Sequence, residues 1–224
     1  MRIVLLGAPG AGKGTQCKRI SVRYGLLHLS SGDILRQERA AGTELGKKAR
    51  GYMDSGGLVP DEVIVEMMAE AIKKASQKTG LVLDGFPRTV NQAVKLDESL
   101  TGNGQRIDVV LNLNIEQEVV SERMTGRRSC PKCGAVYHIK NLKPKVEGKC
   151  DNDGAELVQR PDDSLDVVKN RFRAYHEQTK PVVDYYKNNN TVYDIDANRV
   201  VDEVSTLVFA ILDTLIEVRS DRRQ

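Results

Sequence analysis

Gly7-Ala8-Pro9-Gly10-Ala11-Gly12-Lys13-Gly14-Thr15 is the stretch from which the fold is read. The apolar run Ile3 to Leu6 before it has the composition of a buried strand, and Gln16 to Tyr24 after it that of a helix. Strand, glycine loop and helix are the context that a phosphate loop requires. The four glycines let successive backbone N–H groups turn toward one anion, and the helix start adds partial positive charge. Lys13 is placed to reach the outer phosphates of a nucleoside triphosphate. A tight turn with a chance lysine is the plainer reading, and the flanking elements argue against it. One position departs from the usual pattern. The place after the lysine, commonly Ser or Thr, holds Gly14, with Thr15 one place later. A direct bond from a hydroxyl to magnesium is therefore in question, and carboxylates elsewhere are candidates to hold the ion through its waters.

The rest of the composition narrows the class. A chain of 224 residues with 40% apolar and 29% charged residues can bury one core and carry a small inserted unit. Its 34 basic and 31 acidic residues leave a charge of +3, too weak to argue for a nucleic-acid or membrane partner. Apolar runs such as Leu207 to Leu212 fall far short of the roughly 20 residues that span a bilayer. The N-terminus enters a glycine loop instead of a long apolar stretch, so no secretion signal is read and a cytoplasmic location is expected.

Short apolar runs alternate with helical patterns along the chain. Strands are expected at 3–6, 27–29, 81–84, 107–113 and 191–195. Helices are expected at 33–41, 43–54, 61–76, 116–125, 161–187 with a break at Pro181, and 200–218. Ser30 to Asp33 has the look of a strand end leading into a helix cap, and Asp61, after the break Gly56 to Pro60, is a second candidate cap. The alternation predicts an α/β fold, a parallel five-stranded sheet with helices on both faces. Leu81-Val82-Leu83-Asp84 ends in an acid and a Gly-Phe-Pro-Arg turn, and ligands bind beyond the carboxyl ends of such strands. Asp84 and Arg88 are thereby placed near the phosphate loop. Residues 127–160, rich in Gly, Pro, Lys and Cys, show no helical period and read as an insertion with its own small fold.

That insertion carries three of the four cysteines. Cys130-Pro131-Lys132-Cys133 and Cys150-Asp151-Asn152-Asp153 share one spacing, with a carboxylate closing the second pair. Two such knuckles suit a closed tetrahedral zinc site better than a disulfide framework, with Cys130, Cys133, Cys150 and Asp153 as ligands. Asp151 and His138 are rivals for the fourth place. Cys17 and His28 are expected in or near the core, and His176 in solvent.

The motifs together resemble a known family. GAPGAGKGTQ at 7–16, SSGDILR at 30–36, LDGFPRT at 83–89 with Gln92, GRR at 126–128 and VYH at 136–138 are similar to adenylate kinases, in the family's order and through nearly the whole chain. The glycine loop with DGFPR is specific to nucleoside monophosphate kinases, and the long insertion with VYH resembles the bacterial type with a zinc-binding lid. The resemblance implies P-loop core segments at 1–29, 60–126 and 164–224, an AMP-binding flap at 30–59 and a lid at 127–163. It implies reversible, magnesium-dependent transfer of the terminal phosphoryl group of ATP to AMP, giving two ADP, by a monomer. It assigns the ATP phosphates to Lys13 and the backbone of Gly10, Ala11, Gly12, Gly14 and Thr15. Arg36 and Arg88 would grip the AMP phosphate. Gln92, the Ser31 hydroxyl and the backbone of Gly57, Leu58, Val59, Gly85, Phe86, Pro87 and Arg88 would recognise the adenine end. Arg123, Arg127, Arg160 and Arg171 would converge on the phosphoryl groups, while Val136, Tyr137 and Arg199 would meet the ATP base or ribose. Lids of this family without cysteines also carry VYH, which suggests that His138 serves the lid's own hydrogen bonds. Ser31 stands where threonine is more usual, and it keeps the hydroxyl.

Physical chemistry agrees with the arginines. Phosphoryl transfer needs positioning and charge stabilisation more than a strong nucleophile, and guanidinium forks meet phosphate oxygens with paired hydrogen bonds. Asp33 and Asp84 are candidates for magnesium-bound waters, with a helix cap as the plainer role for Asp33. Two rivals stand beside this reading. One is a kinase of another monophosphate, or one using GTP. The other is a nucleic-acid module built on the cysteine knuckle and its lysines, which leaves DGFPR unexplained.

Overall fold

A computed structural model describes residues 1–74 and 80–221. Arg2–Gly7 forms β1, and the glycine loop leads from it into α1, Lys13–Tyr24. β2 is Leu27–Ser30, followed by α2, Ser31–Ala41, α3, Glu44–Ser55, and α4, Asp61–Lys74. The last two residues of the helix expected at 61–76 lie outside the described residues. β3, Leu81–Asp84, leads through the DGFPR turn to α5, Val90–Thr101. β4, Val109–Asn114, and α6, Gln117–Thr125, precede a two-stranded antiparallel ribbon of β5, Arg127–Ser129, and β6, Val136–His138. The chain returns through α7, Leu165–Ala174, and α8, Lys180–Asn189, to β7, Val192–Asp196, and ends in α9, Val201–Asp221.

The main sheet has five parallel strands in the order β2-β3-β1-β4-β7. Alternation along the strands explains why both faces are covered. Val4, Leu6, Leu81, Leu83 and Val110 point into one core with Leu35, Met68, Leu96 and Tyr186 from α2, α4, α5 and α8. Ile3, Leu5, Val82, Val109, Leu111 and Leu113 point into the other with Cys17, Ile20, Val208 and Leu212 from α1 and α9. Connections from β1 run toward the β2 edge and those from β4 toward the β7 edge. A crevice therefore opens beyond the carboxyl end of β1, where the glycine loop sits.

Three features depart from the sequence expectation. α5 was absent from it, although Thr89 caps this helix by accepting from the Gln92 N–H at 3.1 Å and Ala93, Leu96 and Leu100 make an apolar stripe. The cap of α2 is Ser30, whose Oγ accepts from the Asp33 N–H at 3.2 Å, so Asp33 stands in the first turn with its carboxylate available for other work. The break near Pro181 is a single π-turn, Tyr175–Thr179, which joins α7 to α8 without ending the helix. Proline has no N–H for the ordinary ladder and crowds the carbonyl four residues back, and a widened turn relieves both problems. Among the described residues, no helix is long and apolar enough to cross a membrane.

Candidate phosphoryl-transfer site

The glycine loop is shaped by contacts that only glycine allows. Gly7 has φ +143°, and a Cβ there would lie 2.7 Å from the Leu113 carbonyl oxygen. Gly12, at φ +91°, is the N-cap of α1 and brings no side chain to the helix end. The first N–H groups of α1 thus face the crevice without a side-chain cap, which is the arrangement that takes an anion. Lys13 Nζ folds over the loop and donates to the carbonyls of Gly7 and Ala8 at 2.7 and 2.9 Å. Burial lowers its pKa to about 8 against the partial support of Asp84, and the nearby Arg88 and Arg171 lower it further.

The departure at Gly14 has a structural cause. A Cβ at this position would sit 3.2 Å from Asp84 Oδ2, so any side chain would crowd the carboxylate at the end of β3. Burial works against the charge of Asp84, but His28 and Lys13 outweigh it and hold the carboxyl below the usual range. Asp33 is close enough for its charge to oppose that of Asp84. Two neighbouring carboxylates kept ionised beside a phosphate loop are a donor set suited to a hydrated magnesium ion.

Beside the loop lies a cavity lined by Lys13, Ser31, Arg36, Leu58, Val59, Arg88, Gln92 and Arg171, among others. Strand ends and caps position these groups. The backbone N–H of Arg88 donates to Gln92 Oε1 at 2.7 Å, and Arg88 Nε donates to the Gly85 carbonyl at 2.8 Å. Ser31 Oγ donates to the same carbonyl at 2.6 Å. Gln92, only 1% exposed, gives its amide N–H to Asp61 Oδ1 at 2.8 Å. Asp61 also accepts from Thr89 Oγ1 and Asn91 Nδ2, so the expected helix cap is a junction between the start of α4 and the start of α5.

Three arginines, Arg36, Arg88 and Arg171, line this cavity, and Arg127 and Arg160 stand close enough for their charges to be felt there. Arg36 pairs with Asp33 at 2.5 Å, Arg171 with Asp162 at 2.6 Å, and Arg127 with the fully buried Asp163. Arg160 Nε donates to Ser129 Oγ at 2.8 Å, and its charge is felt by Asp33 and Asp162. Burial, with repulsion among the arginines, lowers the pKa of Arg160 and of Arg171 to about 10 and lowers that of Arg88. Such mutual repulsion is relieved by a polyanion placed between the groups. Asp162 and Asp163 were missed in the sequence, because acids beside Arg160 carry no motif. They hold Arg127 and Arg171 in place, and the run Arg160-Pro161-Asp162-Asp163 at a helix start was the available signal.

Other predicted residues lie apart from this cluster. Arg123 donates to the carbonyls of Asn198 and Arg199 at 3.3 and 3.0 Å, while Arg199 pairs with Asp196. The Tyr137 ring is turned into the insertion, where its hydroxyl accepts from the Asp151 N–H at 2.8 Å.

In the insertion, Cys130, Cys133, Cys150 and Asp153 bring their ligand atoms within 4.8 Å of one another. The sulfurs of Cys133 and Cys150 are 3.5 Å apart, and Cys130 Sγ is 3.3 Å from Asp153 Oδ2. These separations suit ligands about 2.0–2.3 Å from one tetrahedral ion. The rivals for the fourth place are occupied elsewhere. Asp151 accepts from the Lys145 N–H, and His138 Nδ1 accepts from the N–H groups of Lys140 and Asn141. Cys17 is fully buried, His28 lies against Asp84, and His176 is exposed and packs at a tilt against Phe172.

A family model described as Adenylate kinase matches residues 5–191. The chain is 47% identical over 212 residues to an adenylate kinase of Lachnospira eligens, covering 95% of this chain and 100% of the relative. It is 46% identical over 215 residues to one of Archaeoglobus fulgidus, covering 96% and 99%, and 48% identical to one of Clostridium perfringens, covering 95% and 98%.

Proposed function

The chain belongs to the adenylate kinase family and is by that membership a nucleoside monophosphate kinase that works with ATP, AMP and ADP, and we propose how its residues divide the task. The glycine loop from Gly10 to Thr15, with Lys13, takes the ATP phosphates. Arg36 and Arg88 hold the AMP phosphate, and Ser31, Gln92 and the backbone of 57–59 and 85–88 hold its adenosine. Arg127, Arg160 and Arg171 stabilise the charge that develops as the phosphoryl group moves, which is where preorganised donors contribute most to rate. Arg123, Arg199 and the backbone of Val136 and Tyr137 serve the ATP base and ribose. The observation that carries this reading is one cavity joining Lys13 to Arg36, Arg88 and Arg171. The division into core segments 1–29, 60–126 and 164–224, flap 30–59 and lid 127–163 follows, with a single chain sufficient for the site.

Two ions fit the residues present. Asp84, with Asp33, would hold magnesium through its waters, and the ion would supply charge neutralisation between the phosphates. Cys130, Cys133, Cys150 and Asp153 would hold zinc in a closed, structural site. The insertion supports that role, because its own apolar cluster is only Cys130, Tyr137 and Cys150 with Ala135, Ala155 and Leu157 against them. Binding tests the division of residues. Arg36→Ala should weaken AMP binding with ATP binding kept, and Lys13→Ala should do the reverse, each read by titration calorimetry with one nucleotide at a time. Equal loss of both nucleotides in Arg36→Ala would contradict it.

A further inference from the structure

A second group of potential metal ligands lies under the phosphate loop, away from the lid. The Cys17 sulfur from α1, a His28 ring nitrogen from β2 and an Asp84 oxygen from β3 all lie within 4.8 Å of one another. His28 Nε2 is 3.4 Å from Asp84 Oδ2. That is close to the separation of two ligands each about 2.0–2.1 Å from one tetrahedral ion. The same Nε2 is buried and makes no hydrogen bond of good geometry, its contact with the carboxylate included. Cys17 is fully buried, and the side chains of His28 and Asp84 are 14% and 13% exposed. The plainer account makes Cys17 a core residue and His28 an orienting neighbour of Asp84. It leaves the poor hydrogen-bond geometry of the His28–Asp84 contact unexplained, and it does not account for sulfur, imidazole and carboxylate meeting at one point.

We propose that Cys17, His28 and Asp84 form a second zinc site beneath the phosphate loop, and that zinc bound there inhibits phosphoryl transfer by taking Asp84 away from magnesium. Hard oxygen ligands alone favour magnesium, whereas thiolate and imidazole favour zinc. Binding would release the thiol proton to solvent, leaving three protein ligands and a water in the fourth place. The nearby charge of Lys13 opposes the ion, and three protein ligands stand here where the lid offers four, so this site should be weaker than the lid's. The inhibitory effect rests on the proposed role of Asp84, while the metal site itself does not.

The test uses the full chain with its lid already loaded, dialysed against buffered free zinc, with bound metal counted per chain. Wild type should take up a second equivalent, and Cys17→Ala should stop at one. Loss of even an outer-shell partner typically costs 10–100-fold in metal affinity, so loss of a ligand should weaken this site at least about tenfold. Without zinc, Cys17→Ala should turn over like wild type, and with zinc it should need at least about tenfold more for half inhibition. His28→Gln supplies the same count should Cys17→Ala fold poorly. One equivalent in wild type at saturating zinc, or a second equivalent bound equally well by Cys17→Ala and His28→Gln, would overturn the proposal. A second equivalent in a chain that makes no ADP would keep the metal site and remove the proposed function and the inhibition that rests on it.

Discussion

A phosphoryl group in transit spreads charge over its oxygens, and Arg88, proposed to grip the AMP phosphate, is held with its Nε on the Gly85 carbonyl and its backbone N–H on Gln92. Removing one preorganised donor typically costs about 10²- to 10³-fold in rate. Arg88→Ala should lose at least that in turnover, with circular dichroism and melting near wild type; near-normal turnover would remove Arg88 from the site. Lys13 gives a pH dependence with a definite sign. Its pKa falls from the ordinary value of 10.5 to about 8 through burial, so between those values the unfolded chain holds a proton that the folded one has lost. Stability from this group therefore rises with pH across that window, while the charge that binds phosphate declines above about 8. ATP binding should take up a proton at pH 8.5–9 and little at pH 7, as calorimetry in buffers of different ionisation enthalpy would show. Equal uptake at both values would contradict it. Gly14→Ala should lower magnesium-dependent turnover without lowering the melting temperature, because the added methyl presses on Asp84 Oδ2 in a backbone conformation that alanine accepts. The phosphate loop and DGFPR were legible at this scale because backbone turns and phosphate chemistry demand particular residues. The acids Asp162 and Asp163 were not, since an ion-pair partner is chosen by three-dimensional proximity.

Helices and strands were legible where burial imposes a period. β1, β3 and β4, covered on both faces, read as continuous apolar runs, and their edges shifted by only a residue or two on folding. α5 escaped because its stripe of Ala93, Leu96 and Leu100 is short and is interrupted by Lys95, Asp97 and Glu98. The junction at Asp61 was hidden for a related reason. Its carboxylate serves α5, 28 to 31 residues on, through Thr89, Asn91 and Gln92. Hydrogen bonds to a charged group contribute about 1.5–3 kcal/mol each and do not add simply. Asp61→Ala should therefore destabilise the chain by at least about 1.5 kcal/mol and raise the KM for AMP more than that for ATP. Thermal melting and initial rates at varied AMP and ATP check both parts; an unchanged KM for AMP would mean that the junction does not position Arg88 and Gln92.

The whole molecule joins a sheet with an apolar core on each face to an insertion whose own apolar cluster is small. Its cysteine spacing was legible in the sequence, whereas the exclusion of Asp151 and His138 required their hydrogen-bond partners to be seen. Protein purified without chelator should carry one tightly held zinc per chain, measured by metal analysis. Cys150→Ser should release it and lower the melting temperature without unfolding the core, and Asp153→Cys should retain it, because thiolate is the softer ligand. Full retention in Asp153→Ala would remove Asp153 from the site. The enzymatic claim is tested most directly by phosphorus NMR of the purified chain with ATP, magnesium and one monophosphate at a time. AMP and ATP should be consumed together with two ADP formed per pair, and AMP should react faster than GMP, CMP or UMP. Faster turnover of UMP or CMP than of AMP, or no ADP from ATP and AMP, would contradict the account.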